Sequence, residues 1–137
     1  MAQIKELVSG ERLDGDLKMG NGEGDLSCLF GYGKQTITSA DSVVLVTGKP
    51  ASGQTRLKAN MLVVTMTATG KKITLPPVAD WAGVPLIIIN AGDAHDVEIR
   101  DSADALILTL TKTTGTGGVT KPEAVFISTG TTVNIID

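Results

Sequence analysis

The sequence predicts an all-β fold, a small antiparallel β-sandwich or barrel preceded by an extended N-terminal arm. Three observations point there. Thr, Val and Ile together supply 40 of the 137 residues, and branching at Cβ crowds a helix while suiting a pleated sheet. Short apolar runs alternate with Gly, Pro and Asx punctuation, and none sustains a helical period. Seven of the 16 glycines fall within the first 33 residues, where each would cost a helix interior about 1 kcal/mol.

Taken in order, residues 1–33 stand apart. They hold six acids against three bases, whereas residues 34–137 carry nine of each. No helix longer than the "IKELVSG" turn is expected here. The aliphatic residues Ile4, Leu7, Val8, Leu13 and Leu17 follow no sustained period. A frayed tail and an arm that orders on a neighbour both fit that composition; well-separated aliphatics favour the arm.

The β domain is expected over residues 34–137. "KQTIT" and "SVVLVT" lead to a "GKPASG" loop at 48–53, then "QTRLKA", "MLVVTMTA", a "TGKK" turn and "KITLPP". After "ADWAG" come "VPLIIIN", the "AGDAHD" loop, "VEIR", "DALILTLT", a long "KTTGTGG" loop, "AVFIS", a "TGT" turn and "TVNIID". Nine or ten short strands at this spacing suit a sandwich or barrel. In "PLIII" consecutive residues are apolar, so both faces of that strand should be covered. Pro76–Pro77 removes two backbone donors and marks an edge or a corner.

The aromatic residues are only Phe30, Tyr32, Trp81 and Phe126. So lean a set of core anchors invites oligomerisation as a remedy. A net charge of −3 without a basic stripe argues against a nucleic-acid partner. The longest uncharged apolar run, around Val84 to Ala91, is too short to span a bilayer, and no apolar leader opens the chain. The single Cys28 excludes an internal disulfide.

Chemistry is sparse. His95 lies near Asp93, Asp96 and Glu98, but adjacent strand residues point to opposite faces, and zinc needs three or four ligands. A turn-forming role is the better reading, and no metal or cofactor is expected. Cys28 has no motif around it and reads as a small buried thiol. "GNGEG", "GYGK" and "GTGG" fit no phosphate-binding pattern. Asp101 and Asp104 could pair as glycosidase acids, yet no aromatic sugar platform accompanies them. Trp81 is either a core filler or the anchor of an interface. An enzyme is not expected, and a nucleotide-directed β enzyme would need a phosphate-binding Ser/Arg set that is missing.

A resemblance does emerge from Thr74–Leu75–Pro76, Ala82–Gly83, Asn90–Ala91–Gly92, Val97–Glu98–Ile99 and the hairpin from Val125 through Val133. In this order, across residues 61–136, these elements resemble a recurrent β module of tailed-phage virion proteins. The closing hairpin departs from the pattern, with Thr132–Val133 where an aromatic often follows the glycine. The resemblance implies a structural protein of the virion and a homotrimer, on the capsid surface or in a tail fibre or spike. The chain has neither shaft repeats nor a coiled coil, so the expectation is a decoration (cement) protein, made in the host cytoplasm. It would bind the major capsid protein and stabilise the assembled head; a tail-fibre or receptor-binding module is the alternative. Ile4, Leu7, Val8, Leu13 and Leu17 would then contact the capsid. Leu75, Pro76, Pro77, Trp81, Leu86 and Ile88 would lie near the inter-subunit surface. Neither a nucleic acid nor a membrane is among the expected partners.

Overall fold

A computed structural model of the chain describes residues 18–19, 24–25, 31–114 and 121–136. The regular structure of the described residues is almost wholly strand, and the fold is all-β. A short antiparallel pair, β1 (Lys18–Met19) and β2 (Gly24–Asp25), precedes the main body. Ten strands follow: β3 (Gly31–Ser39), β4 (Val43–Val46), β5 (Gln54–Arg56), β6 (Ala59–Met66), β7 (Lys72–Thr74), β8 (Pro85–Asn90), β9 (Val97–Arg100), β10 (Leu106–Leu110), β11 (Glu123–Ser128) and β12 (Val133–Ile136). One 3-10 turn, Val78–Trp81, interrupts them. Each expected β segment beyond residue 33 carries a strand, and β3 begins a little earlier, at Gly31.

The strands form two five-stranded sheets, ordered β10-β9-β7-β4-β5 and β12-β11-β8-β6-β3. The expectation of an antiparallel arrangement is corrected here, because both sheets are mixed. β3, β6 and β8 run parallel to one another, as do β5, β4, β7 and β9. Only β10, β11 and β12 enter antiparallel. The cause lies in the path. From β3 the chain crosses to β4, returns to β6, crosses to β7, returns to β8 and crosses again to β9. Within β3, β6 and β8, and within β4, β7 and β9, neighbours are therefore linked through the other sheet, and such a crossover makes them parallel, where a hairpin would make them antiparallel.

Successive passes stack in register. Lys34 lies opposite Met61, Met61 opposite Ile87, and Ile87 opposite Val125. In the other sheet Val43 lies opposite Ile73 and Ile73 opposite Ile99. Inward-facing residues of both sheets build a single hydrophobic cluster, with Leu62, Val64, Ile73, Leu86, Ile88, Val97, Ile99, Leu110 and Phe126 fully buried. Each such aliphatic side chain contributes about 1.5–3 kcal/mol relative to exposure. The alternating pattern of β6 follows directly, since Leu62, Val64 and Met66 point inward between half-buried Met61, Val63 and Thr65.

The double proline marks a corner. β7 is the middle strand of its sheet, and Pro76–Pro77 follow just past its end, leading into the 3-10 turn.

Candidate functional surface

Two buried polar side chains fix the corners of the body. The Asn90 side chain, fully buried at the end of β8, donates to the carbonyls of His95 (2.9 Å) and Leu110 (3.3 Å) and accepts from the Gly92 N–H at 3.1 Å. A β-carbon on Gly92 would sit 3.2 Å from the Asn90 Oδ1, so glycine keeps that approach open. Ser128, at the end of β11, donates from Oγ to the Val78 carbonyl, and its own carbonyl accepts from the Gly83 N–H at 2.8 Å. Gly83 adopts φ +77°, a conformation that glycine supplies without steric cost. Trp81 packs in the core with its indole N–H donating to the Pro76 carbonyl at 3.0 Å.

The carboxylates singled out in the sequence also hold turns. Asp101 Oδ1 accepts from the backbone N–H groups of Ala103 (2.9 Å) and Ala105 (2.8 Å). Asp96 Oδ1 accepts from the Lys112 N–H at 2.9 Å, clasping two loops together. His95 Nδ1 lies 3.1 Å from the Thr69 hydroxyl, at the rim of a cleft of about 300 Å³ lined also by Gly70, Lys71, Asp96 and Lys112. Among the described residues no group of three His, Cys, Asp or Glu side chains is placed to hold a metal ion. No helix among them is long and apolar enough to cross a membrane.

The outer faces of the two sheets differ in chemistry: one interrupts its exposed aliphatics, Val44 and Leu106, with ion pairs, and the other sets its aliphatics side by side. On the sheet of β4, β7 and β9, Lys72 binds Asp104 at 2.7 Å, while Arg100 donates to Glu98 Oε2 at 2.7 and 2.9 Å. The Arg100 guanidinium, raised in pKa chiefly by that bond to Glu98, stays charged. The Lys72 hydrogen bond is the main cause holding the Asp104 carboxyl below the ordinary aspartate value. Exposed Val44 and Leu106 flank these pairs on the same face.

The outer face of the other sheet is aliphatic. Met61 and Val63 of β6, Ile87 and Ile89 of β8, and Val125 and Ile127 of β11 are each half-buried there, and Ile136 of β12, opposite Val125, is 52% exposed. The charged side chains it carries within the ladders are Lys34 and Glu123, both exposed. Contiguous apolar surface of this kind marks a contact surface.

The residues expected near an inter-subunit surface lie mostly inside the single chain. Leu75, Pro76, Trp81, Leu86 and Ile88 are buried in the interior of the single chain, and of that set only Pro77 is exposed. The reason is the two-residue period of a strand: in "PLIII" Leu86 and Ile88 share the inner face, and Ile87 and Ile89 take the outer one. The signal for the outer face was present in the unbroken apolar run, but the run does not say which set turns inward. Ile4, Leu7, Val8, Leu13 and Leu17 lie outside the described residues.

No family model matches the sequence, and no curated protein or solved structure matches it.

Proposed function

We propose that the chain is a structural component of a tailed-phage particle, a decoration protein that attaches to the capsid surface and stabilises the assembled head. The observation that carries this reading is the aliphatic outer face of the β3-β6-β8-β11-β12 sheet, set on a body whose polar side chains are tied into its own corners. Such a body suits attachment, whereas catalysis needs polar groups left free to meet a substrate. The order of the "TLP", "N-A-G" and "V-x-I" elements supports the virion reading in particular. Attachment to the assembled shell alone favours that shell by mass action. Residues 1–33, with Ile4, Leu7, Val8, Leu13 and Leu17, supply the capsid contact in this reading, by strand addition to exposed sheet edges.

The test is co-sedimentation with purified capsids of the full chain and of a chain lacking residues 2–20. Saturable binding of the full chain and a large loss on truncation are expected. Equal binding by the two would remove the arm from the account. A full chain that leaves capsids bare but adsorbs to host cells would replace decoration with a receptor-binding role.

A further inference from the structure

We propose that the aliphatic outer face of the β3-β6-β8-β11-β12 sheet is the surface on which a second copy of this chain docks, packed about an axis that runs along the strands. The inference deepens the decoration reading by naming what covers this face. The two can fail separately, because self-association and capsid occupancy are measured apart.

The first argument is chemical asymmetry. The outer face of the companion sheet carries the Lys72–Asp104 and Arg100–Glu98 pairs, and these charged groups separate its two exposed aliphatics, Val44 and Leu106, in the row Val44–Thr74–Arg100–Leu106. On this face a continuous row crosses four strands, Met61 to Ile87 to Val125 to Ile136, with Val63 and Ile89 paired beside it. The β-branched residues in these rows give a stiff, flat surface, which loses little side-chain entropy on packing against another like it.

The second argument is charge complementarity, and it selects a copy of the chain as the occupant. Lys34, on β3, stands at one margin of the patch, and Glu123, on β11, stands towards the other. Among the described residues neither makes an ion pair or side-chain hydrogen bond. A rotation axis parallel to the strands brings the β3 margin of one copy against the β11–β12 margin of the next. Unlike charges then meet at the rim of an apolar centre, the usual anatomy of a specific interface. A partner with no cationic and anionic margins of its own would leave both groups unanswered.

The third argument is size. Five strands about 4.8 Å apart, with about 3.3 Å per residue over six residues, present roughly 500 Å² of sheet face. Two such faces together bury about 1,000 Å², which reaches the lower bound for a specific protein interface.

The experiment is sedimentation velocity on the full chain over a concentration series, with Val63→Lys, Ile89→Lys and, as a control on the companion sheet's outer face, Val44→Lys. The expected result is a wild-type species at two or three times the chain mass of 14.2 kDa. Val63→Lys and Ile89→Lys should fall to the single-chain mass, while Val44→Lys stays assembled. A wild-type chain that remains single throughout would overturn the proposal. So would an oligomer unaffected by both lysines, or one that forms only after residues 1–30 are removed, which would mean that the chain's own N-terminal segment covers the face. Should both lysine variants fail to fold, methyl NMR of the wild type with a soluble paramagnetic probe decides. Methyls of Val63, Ile87 and Ile89 shielded at high concentration and bleached on dilution support the inference; bleaching at every concentration defeats it.

Discussion

The side-chain amide of Asn90 lies 3.3 Å from the carbonyl oxygen of Leu110, so the middle strand of one sheet is bonded directly to an edge strand of the other. The same amide group holds His95 and Gly92, which makes one buried residue the joint between β8, the loop after it and β10.

Replacing Asn90 with Ala should lower stability by about 1–3 kcal/mol, because the His95 carbonyl and Gly92 N–H lose their partner inside the protein. Urea denaturation reads the change. Asn90→Asp should do worse at neutral pH than Asn90→Ala, since a carboxylate presents no donor to the two carbonyls and would be buried with a charge.

Trp81 allows two losses to be separated. Trp81→Phe keeps most of the buried ring and removes the N–H that answers the Pro76 carbonyl, at a cost of about 1–3 kcal/mol. Trp81→Ala adds a cavity and should cost about 3–5 kcal/mol. Thermal unfolding followed by circular dichroism compares the two variants, whose order should be Phe above Ala.

At Gly83 the backbone, not the space around it, limits substitution. A β-carbon would meet nothing within 4 Å, yet φ is +77°. Gly83→Ala should therefore lose about 1–2 kcal/mol through backbone strain alone. A melting temperature equal to wild type would show that the turn relaxes freely.

The Asp104 carboxyl titrates below its ordinary value of 3.8, held there first by the hydrogen bond from Lys72, against a smaller opposing effect of desolvation. With the folded pKa depressed, the stabilising contribution is complete above the unfolded aspartate range and disappears as pH falls through the folded value. Asp104→Asn, which keeps a residue tolerant of the positive φ of 69° there, should melt slightly below wild type at neutral pH. That gap should close on acidification below about pH 4, and because the pair is exposed it should also shrink in high salt.

Much of the local structure was legible in the residues, and the arrangement in space was not. "MLVVTM", "PLIII" and "AVFIS" announce strands because β-branched side chains and turn residues act locally. Whether Ile87 pairs with Met61 through a crossover or with a hairpin neighbour depends on contacts distant in sequence, and no local pattern records it. Alternation could group Leu86 with Ile88 and Ile87 with Ile89, but only the position of the core decides which pair faces out. The corner residues show the same limit. Asn90–Ala91–Gly92 was visible as a motif, while the reason for its asparagine, two carbonyls from separate segments, exists only once the chain is folded. Asp101, which the sequence offers only as one of two paired acids, accepts from the backbone of Ala103 and Ala105 in a turn, a role that no local pattern singles out.

The winding path from sheet to sheet also sets the tempo of assembly for the single chain. Lys34 must wait for Met61 to be placed beside it, and Met61 for Ile87, with a complete traverse of the opposite wall between each. Ladders that close over such distances form slowly compared with hairpins. A refolding chain thus spends a long interval with sticky, half-paired segments open to its neighbours, and recovery from denaturant will depend on dilution far more than the final strength of the native state would suggest.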